Sequence, residues 1–173
     1  DAGLATIMNA YPELDGEVVA ASRRILTDLL RGSLGFEGPV VSDYHAINMI
    51  HDYHRAAPDK QTAARLALNA GIDVELPTTD YYDHPLRAAL KARQIDLEAV
   101  DTAVQRHLQK KFELGLFENP YVDEEHVHEV FETAEQRGLA RELARKSMVL
   151  LKNDGLLPLK KSIDTLAVIG PNT

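Results

Sequence analysis

Short apolar segments alternate with amphipathic helical stretches over the first two thirds of this chain, and that alternation limits the fold more than any other feature. Residues 5–11 form an apolar run ending near Met8 and Tyr11, and residues 12–16 carry Pro and Gly turn chemistry. Ser22 reads as the N-cap of a helix with Ile25, Leu26, Leu29 and Leu30 inward, and Gly32 and Gly35 offer its exits. Pro39-Val40-Val41 follows as a strand covered on both faces. Residues 60–70 carry a stripe of Ala63, Leu66, Ala67 and Ala70, with Gly71 as the stop. Residues 72–76 are a third strand closed by Pro77, and residues 83–92 are helical. Asp96 caps a longer helix that turns Leu97, Val100, Val104, Leu108 and Phe112 to one side. Strand and helix in strict alternation imply right-handed βαβ units and a parallel sheet, either open or part of a (β/α) barrel.

The pattern changes after Leu116. Residues 117–132 hold Pro120, His126 and His128 with little periodicity and read as a linker. Thr133-Ala134-Glu135-Gln136 has the form of a capping box, opening a helix to about residue 146 with Leu139 and Leu143 inward. Residues 147–152 and 166–169 are expected strands around the turn Asn153-Asp154-Gly155. The expected organisation is therefore an α/β unit over 1–116, a linker over 117–132 and the start of a second unit over 133–173. Both ends look cut, so the chain reads as an internal piece of a longer protein.

Composition narrows the function. With 19 basic against 27 acidic residues the chain carries a formal charge of −8, and no basic cluster exceeds Lys160-Lys161. That argues against nucleic acid as a partner. No apolar run approaches the roughly 20 residues that span a bilayer, so membrane insertion is not expected. With zero Cys, disulfides, thiolate zinc sites and Cys nucleophiles are excluded, while the compartment stays open. Neither a phosphate-binding Gly pattern nor a Gly-x-Ser-x-Gly elbow occurs.

Asp43, in Val40-Val41-Ser42-Asp43-Tyr44, is the most suggestive residue. An acid where a buried parallel strand passes into a loop lies at the sheet end that carries chemistry in α/β barrels. It can cap the following turn through backbone N–H groups, or act as a nucleophile or as a ligand for a sugar hydroxyl or metal. Met8 and Tyr11 can line the same pocket or sit in the core, and Tyr44 can stack on a ligand or pack under the loop. His51-Asp52-Tyr53-His54 lacks the third and fourth ligands of a zinc site and reads as a polar loop or pocket rim.

Several segments together resemble glycoside hydrolase family 3, the β-glucosidase family. Met8-Asn9-Ala10-Tyr11 is similar to its Met-x-x-Tyr strand, and Leu26-Thr27-Asp28-Leu29-Leu30-Arg31-Gly32 with Gly35-Phe36-Glu37-Gly38 to the helix and turn that follow. Val40-Val41-Ser42-Asp43-Tyr44 stands where the family has Val-Val-Ser-Asp-Trp. Ala70-Gly71-Ile72-Asp73 resembles its Ala-Gly-x-Asp segment, and Lys111-Phe112-Glu113-Leu114-Gly115-Leu116-Phe117 its last barrel helix. Val149-Leu150-Leu151-Lys152-Asn153-Asp154-Gly155-Leu156-Leu157-Pro158-Leu159 resembles the opening of its second domain.

The resemblance implies the C-terminal part of a TIM-like barrel, a linker and the start of an α/β sandwich. It implies Asp43 as nucleophile, with Met8 and Tyr11 lining the pocket for the terminal sugar and Tyr44 beside it. The implied activity is retaining, exo-acting hydrolysis of β-glucosides or other β-linked oligosaccharides, with no metal or cofactor. A β-xylosidase and a non-catalytic carbohydrate-binding homologue are the alternatives. Tyr44 for the usual Trp, His45 for the usual Gly and Pro12 for the common Asn are departures beside that pocket. The family's Arg and Lys-His sugar contacts, and usually its acid/base Glu, fall outside these residues.

Overall fold

A computed structural model describes residues 3–171, in two compact units, Asp1–Tyr121 and Val122–Thr173. The first is mixed α/β. Strand β1 (Ile7–Met8) pairs in parallel with β4 (Val40–Val41), Ile7 opposite Val40 and Met8 opposite Val41. Val41 bridges in parallel to Val74, which adds a third run to the sheet. The expected strands over 5–11 and 72–76 are thus shorter than their apolar runs. A small hairpin, β2 (Glu13–Leu14) and β3 (Glu17–Val18), turns through Asp15 and Gly16, both at positive φ (55° and 77°). That is the backbone an Asp-Gly pair adopts in a two-residue hairpin loop.

Between hairpin and β4 runs a π-helix, Arg24–Ser33, where an α-helix was expected. Ser22 does cap it, its Oγ accepting from the Ile25 N–H at 3.1 Å. Bonds from residue i to i+5, such as Leu34 N–H to Leu29 O at 2.9 Å, put more residues in each turn. Residue 29 therefore does not return to the face of residue 26: Leu26 is buried while Leu29 is 47% exposed.

After β4 come α1 (Ala46–Asp52), α2 (Lys60–Ala70), α3 (His84–Lys91) and α4 (Leu97–Glu113). Helix α1 corrects the expectation of a polar loop around His51 and Asp52. Its Ala46, Ile47 and Ile50 are buried, and full burial of an Ile is worth about 1.5–3 kcal/mol, which outweighs the polar residues at its end. Helix α2 begins at Asp59, whose Oδ1 accepts from the Thr62 N–H at 2.7 Å, and stops at Gly71 with φ 113°. Its buried Ala63, Ala64, Ala67 and Ala70 give it a thin face that lets neighbouring elements approach closely.

Helix α4 departs from expectation. Ala103 is buried, but Leu97, Val104, Leu108 and Phe112 are 40–63% exposed, because this unit supplies no element to cover that stripe.

The second unit holds a short turn Glu124–His126, α5 (Val127–Val130) and α6 (Ala134–Ser147). The capping box is formed: Thr133 Oγ1 accepts from Gln136 N–H and Gln136 Oε1 from Thr133 N–H. The strands expected at 147–152 and 166–169 do not form among the described residues, and Leu139 and Leu143 are exposed rather than inward. A strand needs a paired neighbour, and apolar residues need an opposing face. This unit supplies neither.

Candidate active site

The site is built at the C-terminal ends of β1 and β4. Ser42 continues β4 by donating its N–H to Val74 O at 2.8 Å, and its buried Oγ accepts from the Leu76 N–H at 2.8 Å. The ladder ends there and Asp43 emerges, half-buried, at the edge. Its N–H donates to Oδ1 of buried Asn9, one residue past β1, at 3.2 Å. Asn9 thus ties the two strand ends together. Sequence reasoning assigned it no role, although it lies inside the quoted Met8 to Tyr11 segment.

The Asp43 carboxylate is oriented through one oxygen. Oδ1 accepts from Tyr11 Oη at 2.8 Å and from the Tyr44 N–H at 2.7 Å. Among the described residues Oδ2 accepts no hydrogen bond, and no Lys or Arg forms an ion pair with the carboxylate. Asp43 therefore caps one N–H of the following turn and keeps an oxygen open. Tyr11 Oη also lies 2.8 Å from Tyr44 O, so one proton serves two acceptors. The bond to Asp43 first, then burial and the Asp43 charge, raise the Tyr11 hydroxyl above its ordinary pKa.

The other two sequence candidates are placed differently. Pleat alternation puts Met8 and Val41, which are opposite each other, on the same sheet face as Asp43, and Met8 is 49% exposed. Tyr44 is 58% exposed and does not pack under its loop. His45 next to it has φ 62° and ψ 13°, the left-handed region. Its N–H donates to Leu76 O at 3.1 Å, which joins the loops after β4 and Val74.

Sequence reasoning passed over the groups that hold this edge from behind. Asp73, 1% exposed at its side chain, accepts from Arg31 at 2.7 Å, Arg106 at 2.9 Å and the Val40 N–H at 2.8 Å. It pins the start of β4 while Asn9 pins its end. The signal was the Asp of the Ala-Gly-x-Asp segment. Buried Glu75 accepts from the N–H groups of Tyr81 and Tyr82, the latter at 2.6 Å, and so fastens the loop after Leu76. Burial pushes its carboxyl up. Burial also drives the Tyr81 hydroxyl up to about 12, assisted by Asp52.

His51 and His54 do not converge. His51 Nδ1 lies 3.0 Å from Ala57 O, whereas His54 reaches Tyr11 O and Glu13. No group of three His, Asp or Glu able to hold a metal ion occurs among the described residues.

Residues 1–109 match the family model described as "Glycosyl hydrolase family 3 N terminal domain". The chain is 38% identical over 177 residues to a periplasmic beta-glucosidase of Salmonella typhimurium, covering 99% of this chain and 23% of that protein. It is 36% identical to a beta-xylosidase of Formosa agariphila, covering 99% of this chain and 25% of the other. Among solved structures, a beta-glucosidase from Listeria innocua in complex with glucose superposes with a TM-score of 0.76 at 35% identity, over 91% of this chain and 22% of that one. This chain thus spans about a quarter of the length of the curated relatives it matches.

Proposed function

Because the chain belongs to glycosyl hydrolase family 3, we propose that it carries the nucleophile of a retaining, exo-acting β-glycosidase, with Asp43 in that role. The observation that carries the reading is the asymmetry of the carboxylate: Oδ1 is held by two donors while Oδ2 is open. Oδ2 attacks the anomeric carbon as the glycosidic C–O bond breaks, and the leaving oxygen takes a proton from a second carboxyl, about 5–5.5 Å away in retaining enzymes. That group, now ionised, then takes a proton from water as the water displaces Asp43, restoring both carboxyls. The second carboxyl is assigned to no residue of this chain.

Residues 1–116 are read as a C-terminal part of the (β/α) barrel, and 133–173 as the opening of the α/β sandwich domain after a linker. Parallel pairing of β1, β4 and Val74, with Asp43 at their C-terminal edge, supports the barrel assignment. Met8, Tyr11 and Tyr44 line the pocket for the terminal sugar. A β-glucoside is the first reading and a β-xyloside the second, since relatives of both names match at similar identity.

The test uses the intact protein. A 2-fluoro glycoside with a good leaving group slows both steps but rescues the first, so a glycosyl-enzyme accumulates. The label is expected on the peptide containing Ser42-Asp43-Tyr44, and Asp43→Asn is expected to lower turnover by several orders of magnitude while remaining folded. Label on another carboxylate, or near-normal turnover of Asp43→Asn, overturns the assignment. Relative rates on aryl β-glucoside and β-xyloside decide the sugar.

A further inference from the structure

Tyr11 lies in neither strand nor helix, yet its hydroxyl is one of only two donors seen on Asp43 among the described residues. Something other than secondary structure must hold it. Its carbonyl is held by His54, whose Nε2 lies 3.1 Å from Tyr11 O. The same ring directs Nδ1 to Glu13 Oε1, also at 3.1 Å. A carbonyl oxygen only accepts, so Nε2 is the donor in the bond to Tyr11 O, while Nδ1 faces Glu13. The His54 side chain is 6% exposed, and the Tyr53 ring stands edge-on to it at 5.0 Å between centroids. His54 follows α1, and α1 begins three residues after Asp43. The ring therefore connects the far end of the helix after the candidate nucleophile to the turn that carries Tyr11.

We propose that His54 is a positioning residue, which sets the Tyr11 backbone so that the Tyr11 hydroxyl meets Asp43 Oδ1 and leaves Oδ2 aimed at the substrate. The proposal rests on the reading of Asp43 as nucleophile. Without the bond to its carbonyl, the Tyr11 turn shifts and the carboxylate loses one of its two donors. Displacements of about 1 Å at such a group cost on the order of a hundredfold in rate.

The test is a double-mutant cycle on the intact protein, with kcat, KM and the thermal midpoint measured for each variant. His54→Asn presents its amide near the Nδ1 position and cannot reach Tyr11 O, so kcat is expected to fall about 10- to 100-fold with little change in KM. His54→Gln can donate from near the Nε2 position and is expected to recover most of that loss. Adding Tyr11→Phe to His54→Asn is expected to cost nothing further, because both changes remove the same donor from Asp43. Losses that multiply, or a lowered midpoint with unchanged kcat, overturn the proposal. Should His54→Asn fail to fold, His54→Leu, which has no N–H to offer Tyr11 O, takes its place in the cycle, with the same lack of additivity expected. Asp43→Asn is assayed alongside. Near-normal turnover there refutes the nucleophile assignment, whereas an inactive Asp43→Asn with an additive cycle refutes only the role of His54.

Discussion

Tyr11 Oη meets Asp43 Oδ1 at 2.8 Å although 32 positions separate the two residues in the chain. The bond joins the ends of two parallel strands and converts a symmetric carboxylate into one with a fixed and an open oxygen.

That bond has a titration signature. The Tyr11 hydroxyl is raised above 10.0, with the hydrogen bond to Asp43 as the largest cause. A raised value means that the bond's contribution is fully present below 10.0 and is lost as pH climbs through the higher folded value. Difference spectra between the protein and its Tyr11→Phe variant are expected to show a phenol titrating above pH 10, and Asp43→Asn is expected to bring it back toward 10. An unmoved titration after loss of the Asp43 charge would show that the bond does not persist in solution.

His45 occupies a backbone conformation suited to glycine. Left-handed geometry costs a non-glycine residue about 1–2 kcal/mol, partly offset by the about 0.5–1 kcal/mol that glycine loses in unfolded-state freedom. His45 is exposed, and the N–H bond to Leu76 O survives the change. His45→Gly is therefore expected to raise stability by up to about 1 kcal/mol in urea unfolding, whereas His45→Val should lower it.

Asp73 joins two guanidinium groups and the start of β4 while almost wholly buried. Asp73→Ala leaves Arg31, 11% exposed at its side chain, with no counter-charge, and breaking such a pair costs about 3–5 kcal/mol. Arg106→Ala removes a more exposed partner, at 28%, and is expected to cost less. Equal losses from the two variants would show that burial does not govern this cluster.

Asp59 offers an acid-side test. Its carboxyl is held below the ordinary range first by the backbone N–H of Thr62. A depressed value means that the cap stabilises α2 above the ordinary carboxylate range and fails as pH falls through the lower folded value. Asp59→Ala is expected to cost about 1 kcal/mol at neutral pH and nothing in strong acid, as read by amide exchange along α2. A cost independent of pH would point to packing instead.

Apart from α1, which reads as a polar loop, and the strands of the β2–β3 hairpin, the order of strands and helices in the first unit, the caps at Ser22, Gly71 and Thr133, and the turn at Asp15-Gly16 follow from local rules. Each depends on residues within four or five positions of one another, so a single pass along the chain detects them. The same locality exposes Asp43, because the end of a β-branched run can be seen without its partners. Where an apolar pattern needed something opposite it, the reading failed: the stripe on α4, Leu139 and Leu143, and the two late strands are exposed here. The widened winding of residues 24–33 was equally invisible, since α and π turns draw on similar residues. The Tyr11 bond to Asp43, the His54 contact with Tyr11 at 43 positions' distance and the Asp73 cluster arise only when β1, β4 and Val74 lie side by side. Polar groups so far apart carry no periodic mark. Packing of the strands brings them within 3 Å or so, and burial then makes their pairing necessary.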